Sequence, residues 1–274
     1  MESKMDPMGR AILDYVKRQG RAAEYCESGK AERRVGASVG MGDGTSEIRL
    51  RVFSPMFEED EMPLATLFRS YEEMPEIERK ALDMARGRVL DVGAGAGCHS
   101  LVLQQRGVDV TAIDISPLSV EAMKKRGVRK VFEQDFFTLE GQYDTILMLM
   151  NGIGIVGTLE RLPRFFRQLD KVLAPKGQVL CDSSDISYVF EDERLQEGDG
   201  TSEMNGVIDI PNEMGYYGER SFRMQYKDTI GEPFDWLYID VETLKEKAAI
   251  NGYAVEVVAE GKHYDYLARI TKRL

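Results

Sequence analysis

Arg88-Val89-Leu90-Asp91-Val92-Gly93-Ala94-Gly95-Ala96-Gly97 is the stretch on which the reading of this 274-residue chain turns. Val89, Leu90 and Val92 read as a buried strand, and the glycines at 93, 95 and 97 as a turn stripped of side chains. Residues 98–106 read as an amphipathic helix stopped by Gly107. A turn without Cβ atoms lets backbone N–H groups approach a ligand, and the first turn of the following helix adds N–H groups with no intrahelical partner. Strand, glycine turn and helix therefore predict a binding site. A dinucleotide fingerprint, G-x-G-x-x-G, needs its third glycine where Cys98 stands, so the spacing does not fit one.

Composition narrows the class. A formal charge of −11 and a pI near 4.9 argue against general nucleic-acid binding, which wants a basic face. Cys26, Cys98 and Cys181 form no C-x-x-C pair and histidines number two, so neither a disulfide framework nor a metal site is expected. The N-terminus lacks an apolar leader and the longest apolar run, 146–150, is far too short to span a bilayer, which predicts a cytoplasmic protein without membrane contact.

Downstream, residues 108–113 read as a second strand ending in Asp114, about twenty residues past the first motif glycine, where a ribose-binding acid belongs. A helix start follows: Ser116 as N-cap, Pro117 in the first helical position, an Ile115–Val120 staple, and Gly127 as the stop. Residues 129–132 read as a third strand leading to Asp135-Phe136. The continuously apolar 143–150 reads as a strand of a parallel sheet covered on both faces.

The G-x-G-x-G spacing behind Asp91 resembles motif I of the class I S-adenosylmethionine (SAM) dependent methyltransferases. The resemblance implies an α/β, Rossmann-like fold: a seven-stranded sheet of order 3-2-1-4-5-7-6, strand 7 antiparallel, with helices on both faces. It implies SAM as cofactor, with contacts from Asp91, Gly93, Ala94, Gly95 and Gly97, from Asp114 and Ile115, and from Asp135 and Phe136 around the adenine. Met150 and Asn151 then stand beside the methyl-transfer position. Arg69 and Tyr71, before the helix expected over 76–86, become candidates for the methionine carboxylate and the sulfonium. The Asn151-Gly152-Ile153-Gly154 sequence departs from the Asn-Pro-Pro-Tyr motif of many amino-directed nucleic-acid methyltransferases, so their chemistry does not carry over.

The fifth strand, 178–181, ends in Asp182-Ser183-Ser184-Asp185, a polar tetrad at another strand end. Asp182 and Asp185 are candidates for substrate contacts, and no side chain is assigned as general base. An insertion is expected over about 186–239: residues 207–210 read as a short strand, and Phe222, Met224, Tyr226 and Phe234, Trp236, Tyr238 alternate as antiparallel strands. With Tyr216 and Tyr217 it is expected to form the acceptor side of the site, a homodimer contact being the competing use of its aromatics. Asp240 then caps a helix, and 253–258 with 264–271 read as a closing hairpin. Residues 1–60 read as a peripheral extension with a helix over 8–26, a short strand over 47–53 and a solvated acidic loop over 58–61; residues 61–274 read as the methyltransferase domain.

The expected function is SAM-dependent methyl transfer to a small-molecule acceptor. The competing classes are a non-catalytic SAM-binding module and an NAD-dependent oxidoreductase. Gly95→Val is expected to abolish SAM binding measured by calorimetry, because a β-branched side chain fills the space where backbone meets ligand. Normal binding would make the turn a purely structural one.

Overall fold

In the computed structural model, which describes residues 5–27, 48–55, 59–189 and 215–273, with backbone alone over 20–27, Arg88–Val92 is an interior strand of a seven-stranded sheet. Chain order begins with α1 (Pro7–Glu27), β1 (Arg49–Phe53), β2 (Asp60–Pro63), α2 (Glu76–Met84), β3 (Arg88–Val92), α3 (Cys98–Gln105), β4 (Asp109–Asp114) and α4 (Pro117–Arg126). It continues through β5 (Val131–Glu133), β6 (Tyr143–Met148), α5 (Leu162–Val172), β7 (Leu173–Ser184), β8 (Glu219–Tyr226), β9 (Thr229–Ile230) and β10 (Phe234–Leu237), closing with α6 (Val241–Ile250), β11 (Tyr253–Glu260) and β12 (Asp265–Lys272).

The large sheet runs β5-β4-β3-β6-β7-β12-β11, which is the order 3-2-1-4-5-7-6. β3, β4, β5, β6 and β7 pair in parallel, and β12 is antiparallel to both neighbours. Pleat alternation loads both faces. Leu90, Val92, Ile113, Ile146 and Met148 pack with Phe165, Phe166 and Leu169 of α5 and Leu244 of α6. Val89, Val110 and Leu147 pack with Ile77 and Leu82 of α2 and Leu103 of α3 on the other side.

Helix ends follow their capping residues. Ser116 accepts the Ser119 N–H at 2.9 Å, Gly127 ends α4 at φ +89°, and Asp240 accepts the Thr243 N–H at 2.8 Å. The expected Ile115–Val120 staple does not form. Asp114 Oδ1 accepts the Ser116 N–H at 2.9 Å, a local turn that leaves Ile115 51% exposed while Val120 is buried.

A second, antiparallel sheet runs β10-β8-β1-β2, with β9 on β8. It joins the two segments read separately as extension and insertion. Val52 pairs with Met224, and Arg51 Nη1 donates to Gln225 across 174 residues of sequence. The strand expected over 207–210 lies outside the described residues. Part of the acidic run is not a loop: Asp60–Pro63 forms edge strand β2, its backbone satisfied by β1 and its acids turned outward to pair Glu61 with Arg49 and Glu59 with Arg51. Charges on such an edge discourage pairing with further strands.

Nor is α1 peripheral. Ala11, Ile12 and Leu13 are buried in a cluster with Leu50 of β1, Tyr226 of β8, Ala122 of α4 and Ala96 of the glycine turn. The reason lies in partners remote in sequence, which complete an apolar stripe too short to bury itself alone. Ile12→Ala is expected to cost about 2–5 kcal/mol in urea unfolding, the usual range for deleting a fully buried aliphatic side chain. A loosely attached arm would lose less than about 0.5 kcal/mol.

Candidate functional site

The glycine turn leaves β3 with Gly93 at φ +65°, Gly95 at +55° and Gly97 at +79°, a left-handed path closed to side chains of ordinary preference. Its backbone is tied to β4: the Ala94 N–H reaches Ile113 O at 3.0 Å and the Gly95 N–H reaches Asp114 Oδ2 at 2.9 Å. A Cβ at Gly93 would meet nothing within 4 Å, and one at Gly95 only Gly93 O at 4.0 Å. The turn is thus a bare ledge beside open space, with room for a ligand to lie against it. Gly97 instead faces inward, on Met123 and Val128.

Asp114 is the hinge of this arrangement. One oxygen takes the Gly95 N–H and the other the Ser116 N–H, and each keeps further acceptor capacity for an incoming hydroxyl. Burial raises its pKa, with the two backbone N–H groups pulling it back down.

From the ledge a cleft of about 230 Å³ runs between Asp114, Ile115, Asp135 and Phe136. Five predicted residues therefore share one cavity: Gly93, Asp114, Ile115, Asp135 and Phe136. Asp135 Oδ1 accepts the Phe137 N–H at 2.8 Å. Gln134, Phe137 and Ile155 also line the cleft and escaped the sequence reading. They belong to no periodic pattern, and only the register of β5 and the turn after β6 brings them in.

Beyond the ledge, Met150 and Asn151 adopt φ of +65° and +56°. Such strain costs roughly 1–3 kcal/mol per residue and persists only where neighbours over-determine it. Here Asp182 supplies the restraint, its Oδ2 accepting the Met150 N–H at 3.0 Å and its Oδ1 the Gly152 N–H at 3.2 Å. Burial pushes its pKa up to about 7 against those two N–H groups. Ser184 Oγ donates to Asn151 Oδ1 at 2.9 Å.

The substrate-side candidates are engaged with one another. Tyr217 donates to Asp185 at 2.8 Å; Tyr216 donates to Asp240 at 2.6 Å and accepts the Asp240 N–H at 2.9 Å. The rings of Tyr216 and Tyr217 lie 4.7 Å apart. These contacts pin the chain entering β8 to the ends of β7 and α6. Asp182 and Asp185 are accordingly holders of backbone and tyrosine in this structure.

Behind the ledge lies a buried polar layer. Arg69 Nη2 donates to Glu78 Oε1 at 2.6 Å, Glu78 Oε2 meets His99 Nε2 at 2.8 Å, and Ser100 Oγ donates to Asp91 Oδ2 at 2.6 Å. Burial opposes the charge on His99, yet Cys98, Glu78 and Asp91 hold its pKa well above the ordinary value. Arg69 Nε is buried with no hydrogen-bond partner among the described residues. Glu78 and His99 also escaped the sequence reading, although Glu78 adjoins Ile77 on the buried side of α2, an odd place for a carboxylate. Tyr71 is engaged within the protein: its hydroxyl donates to Asp83 and the Arg106 guanidinium lies 4.3 Å over its ring. Arg106 follows the last turn of α3, roughly 12 Å along the helix axis from the glycine turn.

A SAM molecule fits these features. The ledge has space where a Cβ would intrude, Asp114 retains acceptor capacity, and Arg69 Nε is an orphaned donor suited to a carboxylate.

Comparison with known proteins agrees. A family model described as a methyltransferase domain matches residues 64–223. The chain is similar to a SAM-dependent methyltransferase from Bacteroides fragilis, solved with S-adenosyl-L-homocysteine, at 48% identity and TM-score 0.81 over 100% of this chain and 98% of that one. The Bacillus subtilis protein YqeM, named as a methyltransferase, is 29% identical over 42% of this chain and 50% of its own length. A ubiquinone biosynthesis O-methyltransferase of Xanthomonas oryzae pv. oryzae is 40% identical over 20% of this chain and 23% of its own length. The chain thus spans half or less of these curated relatives' lengths.

Asp114→Ala is expected to weaken S-adenosylhomocysteine binding about tenfold or more, since hydrogen bonds to a charged group contribute roughly 1.5–3 kcal/mol. It should also lower the melting temperature, because the Gly95 and Ser116 N–H groups lose their acceptor. Unchanged calorimetric affinity in a folded variant would remove Asp114 from the site.

Proposed function

The chain belongs to the methyltransferase-domain family and is a class I SAM-dependent methyltransferase; from this premise we propose that it methylates a small organic acceptor under the second sheet. SAM supplies a methyl group already activated on a sulfonium, so the protein's task is alignment and exclusion of water. In this reading Asp114 accepts the ribose hydroxyls, Ile115 and Phe136 flank the adenine, and the free oxygen of Asp135 accepts its amino group. The ledge at Gly93–Gly95 receives the nucleoside, and Arg69 takes the methionine carboxylate. Met150 and Asn151 face the acceptor.

The observation that carries the acceptor class is the continuity of the cover with the site. Ala96 of the glycine turn and Met150 pack in the same cluster as Leu50, Met224 and Tyr226 of the second sheet. β10 lies on the turn Gly152–Val156 that follows Asn151. Along β8 and β10, Phe222 and Phe234 are register partners, and Tyr238 meets Phe222 edge-on. An aromatic cover seated this closely suits a compact organic molecule, whose apolar body it desolvates, better than a polymer. The net charge of −11 supports the same choice over nucleic acid. No general base is assigned, since Asp182 and Asp185 already hold protein donors. Among the described residues no helix is long and apolar enough to cross a membrane.

The test is a partition of label. Protein, methyl-labelled SAM and cell extract split by ultrafiltration into small-molecule and macromolecular fractions are incubated separately. Label is expected to transfer in the small-molecule fraction alone. Transfer to protein or nucleic acid would overturn the acceptor class and leave the methyltransferase assignment standing.

A further inference from the structure

Glu78 and His99 take no part in the site as described above, yet both are buried and they lie between its two rims. Glu78 sits on the inner side of α2, its side chain 5% exposed, and His99 in the first turn of α3, directly after the glycine turn. Their charges also reach Asp182, which holds the Met150–Asn151 turn. The layer therefore adjoins the glycine ledge through α3 and acts electrostatically on the acid that holds the Met150–Asn151 turn.

One carboxylate joins Arg69 and His99 here. Glu78 Oε1 receives Arg69 Nη2 at 2.6 Å and Glu78 Oε2 receives His99 Nε2 at 2.8 Å. With both oxygens engaged, Glu78 cannot swing toward solvent without breaking its contacts with Arg69 and His99. Arg69 is thereby held by one terminal nitrogen, while its Nε, buried and without a hydrogen-bond partner among the described residues, remains for a ligand oxygen. A mobile arginine loses side-chain entropy on gripping a carboxylate, and one already fixed at its far end loses less. Stability alone is a poor reason for the arrangement, since a buried ion pair recovers little beyond its own desolvation and apolar side chains pack as well.

We propose that Glu78 and His99 are positioning residues that hold the Arg69 guanidinium for the α-carboxylate of SAM, so that affinity for the amino-acid end of the cofactor depends on residues that do not touch it. The inference rests on the reading of Arg69 as the carboxylate-binding residue. His99 acts through Glu78, and Glu78 acts through Arg69. Asp91, tied to Ser100, and Asp182, tied to the Met150 turn, are the remaining charges around the trio.

Two probes separate positioning from general support: S-adenosylhomocysteine, which carries the amino-acid carboxylate, and 5′-methylthioadenosine, which lacks it. Calorimetric affinities for both are measured on the full chain, with thermal unfolding recorded for every variant. Arg69→Met is expected to weaken S-adenosylhomocysteine binding about tenfold or more, as loss of a charge-assisted contact implies, and to leave methylthioadenosine binding unchanged. If Arg69→Met leaves the ratio of the two affinities unaltered, the reading of Arg69 itself falls. Given a shifted ratio for Arg69→Met, Glu78→Gln is expected to shift it in the same direction, and to add nothing further in the Arg69→Met background. A wild-type ratio for Glu78→Gln, or an equal loss for both probes, overturns the proposal. His99→Gln keeps the Arg69–Glu78 contact and reads the same ratio, with a smaller shift expected. It decides the matter should Glu78→Gln fail to fold, and equal loss for both probes there overturns the proposal too.

Discussion

The carboxylate of Asp114 is the constraint on which the site depends. It accepts one N–H from the glycine turn and one from the first turn of α4, and so fixes the end of β3 relative to the end of β4. Without that bridge the left-handed path through Gly93 and Gly95 would have only the Ala94 N–H to Ile113 O bond to tie it to β4. The same link passes outward. Ser116, held by Asp114, contacts the Asp6 carboxylate, which caps α1 by accepting the Gly9 N–H at 2.8 Å. Two helix starts and the ligand ledge thus meet around two acids, Asp6 buried and Asp114 partly so.

The opposite rim repeats the device with different residues. Asp182, at the end of β7, accepts the Met150 and Gly152 N–H groups of the loop leaving β6, as Asp114 at the end of β4 holds the loop leaving β3. In both cases an aspartate at one strand's carboxyl end secures the turn of its neighbour. A parallel sheet brings such ends together at one edge, where ligands of open α/β sheets bind. The two acids hold the walls of one cleft at a set separation, which is what an alignment-limited methyl transfer asks of its protein.

The second sheet gives this edge its cover. Its cluster with α1 reaches Ala96 and Met150, one residue from each rim, so that closing the cover and shaping the site are parts of a single packing arrangement. Glu61 of β2 and Glu59 just before it face outward and pair with Arg49 and Arg51 on β1, while Phe222 and Phe234 pack together across β8 and β10.

The strand order was what the resemblance of the glycine motif implied, while local patterning determined most of the strands and helices of the large sheet, the helix caps at Ser116 and Asp240, and the presence of a ligand turn at Gly93–Gly97. Those features rest on periodicity, side-chain deletion and capping chemistry, all of which act within a few residues. That Asp114 and Asp135 share one cleft could be anticipated, Asp114 from its distance past the first glycine and Asp135 from the resemblance. The contacts of Tyr71 with Asp83 and Arg106, and the burial of Glu78 and His99 together, passed unnoticed, because a side chain's partners depend on which helix faces which, not on spacing along the chain. The union of β1 and β2 with β8 lay beyond reach for the same reason: an antiparallel pair whose members are 174 residues apart carries no local signal. Tertiary structure alone decided that the two outlying segments form one cover, and that the acids read as substrate contacts hold backbone and tyrosine, since a carboxylate buried at a strand end must satisfy its oxygens with whatever donors the fold brings there.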